Sequence, residues 1–210
     1  MTFETKLQNN WNDDIVVVCI GSSKVIGDSV GPRVGSILLH DDRFTRPVYG
    51  TMENPVQSFN LKSIVDFINM KHPKSTILAI DSTISDKYRE GSIYFNTESL
   101  SPGKGISKDL DKVGDMCIKA VVLQVEDFSE TNKNELVKDL YKVSEEFIDR
   151  LVRRIASAII NTSSRDLNNL DWVSGIVKKC NQKGLRIINI NFQTKTVKVQ
   201  RGKVIKEIKV

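Results

Sequence analysis

The run "DIVVVCI" (residues 14–20) constrains this chain more than any other stretch, because it is apolar and β-branched with no polar alternation. A strand of that kind needs cover on both faces, as strands inside a mostly parallel sheet have. "STILAID" (75–81) and "MCIKAVVLQV" (116–125) repeat the pattern. Between them, "VGPRVGSILLH" turns helical, with Pro32 tolerable in a first turn. "NLKSIVDFINM" (60–70) places Leu61, Ile64, Val65 and Ile68 on one helical face, behind Asn60 as N-cap. "PVYGTM" (47–52) reads as a further strand, and "GSIYFN" (91–96) as a strand or sheet edge. Strands alternating with helices in this order predict an α/β sandwich on a mostly parallel sheet.

The clearest helix is expected over 135–160, where Leu136, Leu140, Phe147, Leu151, Ile155 and Ile159 recur at three- and four-residue steps. "NTSS" reads as its stop. A second helix is expected over 167–184, ended by Gly184. From Leu185 onward, hydrophobicity alternates at period two around a turn at "QRGK". The division that follows is a sandwich over residues 1–162 and a basic helix-plus-β appendage over 163–210. Charge marks the same change. Residues 178–210 hold ten Lys or Arg and one acid, Glu207, giving +9, while the other 177 residues hold 21 basic and 25 acidic side chains, giving −4. Such a segment suits an acidic partner, or simply carries solvated lysines that discourage edge pairing. Phe192 without further aromatics argues against nucleic acid.

No stretch reaches the ~20 continuous apolar residues of a membrane-spanning helix, and "MTFETKLQNNWNDD" lacks the pattern of a secretory signal. Cys19, Cys117 and Cys180 form no CxxC pair and read as small buried residues. The expectation is an intracellular protein without a membrane partner; the sequence leaves a homo-oligomer open.

In open α/β sheets, ligands collect beyond the carboxyl ends of the strands. Asp28, in the glycine-rich loop "GSSKVIGDSVGP", and Asp81, closing "STILAID", both fall there if the first and third strands are neighbours. Two close carboxylates tend to share one proton at neutral pH. The ionised one can draw a proton from water, and the protonated one can hydrogen-bond a carbonyl. Gly21, Gly27 and Gly31 would let backbone amides approach a substrate. Each acid also has a plainer role available: Asp28 as an N-cap, Asp81 in ordering a turn.

Other chemistries find less material. A phosphate loop would need Lys-Ser/Thr after its second glycine, and no G-x-S-x-G elbow is present. His40 and His72 are the two histidines, one ending a helix and one preceding Pro73, so neither reads as a metal ligand. No cofactor is expected.

Taken in order, "CIGSSKVIGDSVGPRVGSIL", "PVYGTMENPVQSFNL", "AIDSTIS", "GSIYFN" and "PGKGISKDLDKVGD" resemble the YyaC-type sporulation proteins of endospore-forming bacteria, over roughly residues 14–125. That family is similar to the spore germination proteases and, more distantly, to the hydrogenase maturation proteases. The resemblance implies a three-layer α/β/α fold and a peptidase of the cytoplasm, in mother cell or forespore, with small acid-soluble spore proteins among its candidate substrates. It implies Asp28 and Asp81 as the catalytic acids. Gly27, Ser82, Gly103 and Gly105 would shape the substrate cleft, the last two in the "PGKG" loop. The hydrogenase maturation proteases add a histidine to sense a metal, and this chain has none after His72. The alternative is a non-catalytic sporulation protein that keeps the fold and binds a protein partner.

Overall fold

The computed structural model describes residues 1–100, 102, 112–128, 132–191, 196–201 and 204–209. They divide into two compact units, Met1–Ser163 and Ser164–Val210.

The first unit is a three-layer α/β/α sandwich. Its five-stranded sheet consists of β1 (Ile15–Cys19), β2 (Val48–Tyr49), β3 (Thr76–Ser85), β4 (Ile93–Asn96) and β5 (Met116–Gln124), in the order β2-β1-β3-β5-β4. All neighbours are parallel except β4, the antiparallel edge. Every residue of β1 is buried, which is why its sequence shows no polar alternation. Alternate β1 and β3 residues feed two cores. On one face, Val17, Cys19, Leu78 and Ile80 meet α1 (Phe3–Asn10), α2 (Val30–His40), α4 (Lys133–Lys142) and α5 (Glu145–Gln182). On the other, Val16, Val18, Ile77 and Ala79 meet Leu61 and Ile68 of α3 (Leu61–Lys71).

Several local expectations are corrected. The helix expected over 135–160 is two: α4 ends at Lys142, Val143 turns extended (φ −56°, ψ 136°), and Ser144 opens α5 by accepting the Phe147 N–H on its Oγ, 3.5 Å away. "NTSS" does not stop α5. Thr162 Oγ1 donates to the Ala158 carbonyl at 2.7 Å, and Ser163 Oγ donates to the Ile160 carbonyl at 2.9 Å, so both hydroxyls are absorbed by the helix they were expected to end. The helix runs to Gln182, and Gly184 terminates it with φ +62°. Asn60 does precede α3, yet its Oδ1 accepts the Gln57 N–H at 2.7 Å and does not cap the helix. Helix α1 escapes the sequence reading, although Thr2 accepts the Thr5 N–H and Phe3 and Leu7 are buried four residues apart.

The second unit contains the end of α5 and an antiparallel meander of β6 (Arg186–Asn191), β7 (Thr196–Arg201) and β8 (Val204–Lys209). Cys180, Val197 and Val199 form its buried cluster, with Leu185 and Ile187 against it. The glycine of the expected "QRGK" turn lies outside the described residues. Among the described residues, no helix is long and apolar enough to cross a membrane.

Candidate active site

Strand β3 is twice as long as β1, and the difference creates the site. Cys19, the last residue of β1, pairs with Ile80. The Ile20 N–H still donates to the Ile80 carbonyl at 2.8 Å, and Gly21 then donates to the Val56 carbonyl at 2.9 Å as the chain turns away. Asp81 is therefore the first β3 residue beyond the end of β1. It does not close the strand, as the sequence suggested; β3 continues to Ser85.

Residues 22–28 fold back over this gap. The Ser22 N–H donates to the Asp28 carbonyl at 2.9 Å, and Ile26–Asp28 forms one turn of 3-10 helix. Gly21 permits the fold-back: its φ is +142°, and a Cβ there would stand 2.1 Å from the Asp28 carbonyl oxygen. Ser29, not Asp28, occupies the N-cap position of α2. The capping role open to Asp28 is thus not the one it fills. Its Oδ1 instead accepts a long hydrogen bond from Ser82 Oγ, at 3.4 Å.

Asp28 and Asp81 line one cleft of about 570 Å³. It is lined as well by Ile20, Gly21 and Ser22 after β1, by Gln57, Ser58 and Pro102, and by Lys133, Asn134, Val137 and Leu140 of α4. Asp81 is 7% exposed. Burial raises its pKa well above the ordinary carboxylate value, and the charge of Asp28 pushes it the same way; Lys119 and a backbone hydrogen bond at Ser82 oppose the rise. The buried member of the pair therefore holds its proton to higher pH than an ordinary aspartate. One carboxyl and one carboxylate facing a common cleft can serve as acid and base toward the same substrate.

The remaining sequence-predicted residues fare differently. Ser82 touches Asp28, as described. Gly27 stands in the same turn but backs onto α4: a Cβ would meet Leu140 Cδ2 at 2.7 Å. Gly31 is likewise pressed against the Ile20 backbone, 2.1 Å from its carbonyl oxygen to a built Cβ. Gly103 and Gly105 lie outside the described residues. His40 Nδ1 pairs with the Ser36 carbonyl at 2.8 Å and His72 Nε2 with the Tyr49 hydroxyl at 2.9 Å, both structural roles. Among the described residues, no cluster of three or more His, Cys, Asp or Glu could hold a metal ion. The contribution of α4 to the cleft was missed. Its signal was the run "NKNELVKDL", where Leu136 and Leu140 face the core and Lys133, Asn134 and Val137 fall on the adjoining flank.

Fold and site together define an α/β/α protein with a carboxylate pair set in a cleft beyond the end of β1. The chain belongs to the family described as protein of unknown function DUF1256, whose model matches residues 1–150. The uncharacterized protein YyaC of Bacillus subtilis (strain 168) is 38% identical over 108 residues, 51% of this chain and 53% of that protein. The chain thus spans about half the length of the curated relative it matches. Two solved structures are similar over most of their length. They are a NiFe hydrogenase maturation protease HycI from Thermococcus kodakarensis KOD1 (TM-score 0.42, 16% identity, 73% of this chain and 97% of that one) and HybD from Thermococcus kodakarensis (TM-score 0.31, 13% identity, 61% and 97%).

Proposed function

We propose that this chain is a sporulation-associated peptidase that hydrolyses protein or peptide substrates with the pair Asp28 and Asp81. The observation that carries the reading is one cleft lined by both acids, one of them buried. Asp28 acts as the base, drawing a proton from water as the water oxygen attacks the scissile carbonyl carbon. Asp81 donates a hydrogen bond to the carbonyl oxygen as charge builds there and passes its proton to the amine as the C–N bond breaks, and the proton taken up by Asp28 then restores Asp81. Ser82 keeps the Asp28 carboxylate oriented through its hydroxyl. A cleft of this volume accepts a few residues of an extended chain, and small acid-soluble spore proteins are the first substrates to try.

The test is incubation of the purified chain with those proteins and with lysate of sporulating cells, read by mass spectrometry beside Asp28→Asn and Asp81→Asn. New peptides that fall by about 10³-fold in both variants support the reading. Cleavage that survives in Asp28→Asn removes Asp28 from the mechanism. No cleavage by the wild type favours the non-catalytic alternative, a partner-binding protein with the same cleft.

A further inference from the structure

We propose that Lys119 is a positioning residue of this site, an ammonium set on β5 in register with Asp81 that governs release of the proton shared by the acid pair. The inference rests on the peptidase reading for its catalytic consequence but on geometry for its substance. Asp81 and Lys119 are direct partners across the parallel β3–β5 pair, and Lys119 and Tyr94 are direct partners across the antiparallel β5–β4 pair. Cross-strand partners project from the same face, so acid, amine and phenol form one row across the sheet.

This row marks a change in the character of that face. The rows before it contain Ile77 and Ala79, which belong to the apolar core under α3. At Asp81 the face turns polar: Thr83 follows and shares a side-chain hydrogen bond with Tyr94, on whose ring Tyr88 stacks at 4.9 Å. Covering a sheet explains a lysine at its rim. It does not explain a lysine registered against a buried acid that lines a cleft.

Titratable groups are set around the Asp81 carboxyl from four elements, and two of them, Asp28 and Lys119, act on it directly. Asp28, in the turn after β1, favours retention of the proton; Lys119 on β5 opposes it, with Cys117 two residues away on the same face. Tyr94 adjoins from β4, and Lys133 of α4 stands farther along the cleft. Without the Lys119 charge, burial and Asp28 would act unopposed by any neighbouring cation on the sheet. The carboxyl could then still polarise a carbonyl but would part with its proton only at higher pH, and proton delivery to a leaving amine would slow.

The experiment is a carbon-detected NMR titration of aspartate-labelled wild type, Lys119→Met and Lys119→Arg, with the Asp81 signal assigned by its loss in Asp81→Asn. The expected result is an upward shift of the Asp81 midpoint in Lys119→Met and a return toward wild type in Lys119→Arg. If cleavage is found, the alkaline limb of its pH profile moves up in Lys119→Met and returns toward wild type in Lys119→Arg. An unmoved Asp81 midpoint in folded Lys119→Met overturns the proposal, whatever the activity. A moved midpoint in a chain that cleaves nothing leaves Lys119 in its role and removes the peptidase reading instead.

Discussion

At the scale of single residues, Asp81 sets function against stability. Its folded-state pKa lies well above that of an exposed aspartate, about 3.9. Below pH 4 both states are protonated and nothing is lost. As pH rises from there toward the folded pKa, the unfolded chain sheds its proton while the folded chain keeps it, and stability falls. Asp81→Asn, nearly isosteric and without a charge to bury, is therefore expected to raise Tm at pH 7 relative to wild type and to flatten the fall of Tm as pH rises above 4. Differential scanning calorimetry across that range checks both, and an Asp81→Asn protein less stable than wild type at pH 7 would contradict the account. Both acids were visible in the sequence, Asp28 in the loop after an apolar strand and Asp81 closing another. What the sequence could not give was their environment: Ser29 and not Asp28 stands at the N-cap position of α2, and Asp81 is buried within a strand that runs on past the end of β1.

Secondary elements were legible where their own residues decide them and illegible where a partner does. The apolar runs of β1, β3 and β5 announce buried strands because cover on both faces leaves no polar positions. The extent of β3 beyond Asp81 is set by pairing with β5, which the run "STISD" does not advertise. Similarly, Thr162 and Ser163 resemble a helix stop until their hydroxyls return to the carbonyls of their own helix. The junction between α2 and α5 is another partner-dependent feature. Arg33 spans it, donating from Nε to Ser29 Oγ at 3.0 Å and from Nη1 to Asp149 at 2.9 Å, with Glu145 at 3.5 Å. Its side chain is 21% exposed, so this pairing is less screened than the other surface ion pairs of α5. Arg33→Met should destabilise the protein by about 1 kcal/mol, since it removes the guanidinium between Ser29, Asp149 and Glu145 and leaves Asp149 only the exposed Arg153 at 3.7 Å. Arg150→Met, which breaks the 3.4 Å pair with Glu146 and the contact of the guanidinium with the Phe147 ring on the helix surface, should cost less, a few tenths of a kcal/mol. Urea denaturation of the two variants distinguishes them, and equal losses would mean the Arg33 network contributes no more than an exposed pair.

At the scale of the whole molecule, the described core and the candidate site belong to residues before 164. The α5 side chains in the main core run from Ile148 to Ile160, and every residue lining the cleft lies between Ile20 and Leu140. Both apolar clusters of the sheet are complete within Met1–Ser163. The second unit has its own cluster, but among the described residues this amounts to Cys180, Val197 and Val199 with two partly buried neighbours. A chain ending at residue 163 is therefore expected to unfold in one cooperative transition. It should retain the Asp81 titration of the full protein, because the burial and charges that set it come from β1, β3 and β5. Calorimetry of this fragment, with the same NMR titration, is the measurement. A fragment 1–163 that fails to fold would show that the appendage completes the sandwich, and its basic strands would then have to be considered part of the structure that holds the acids in place.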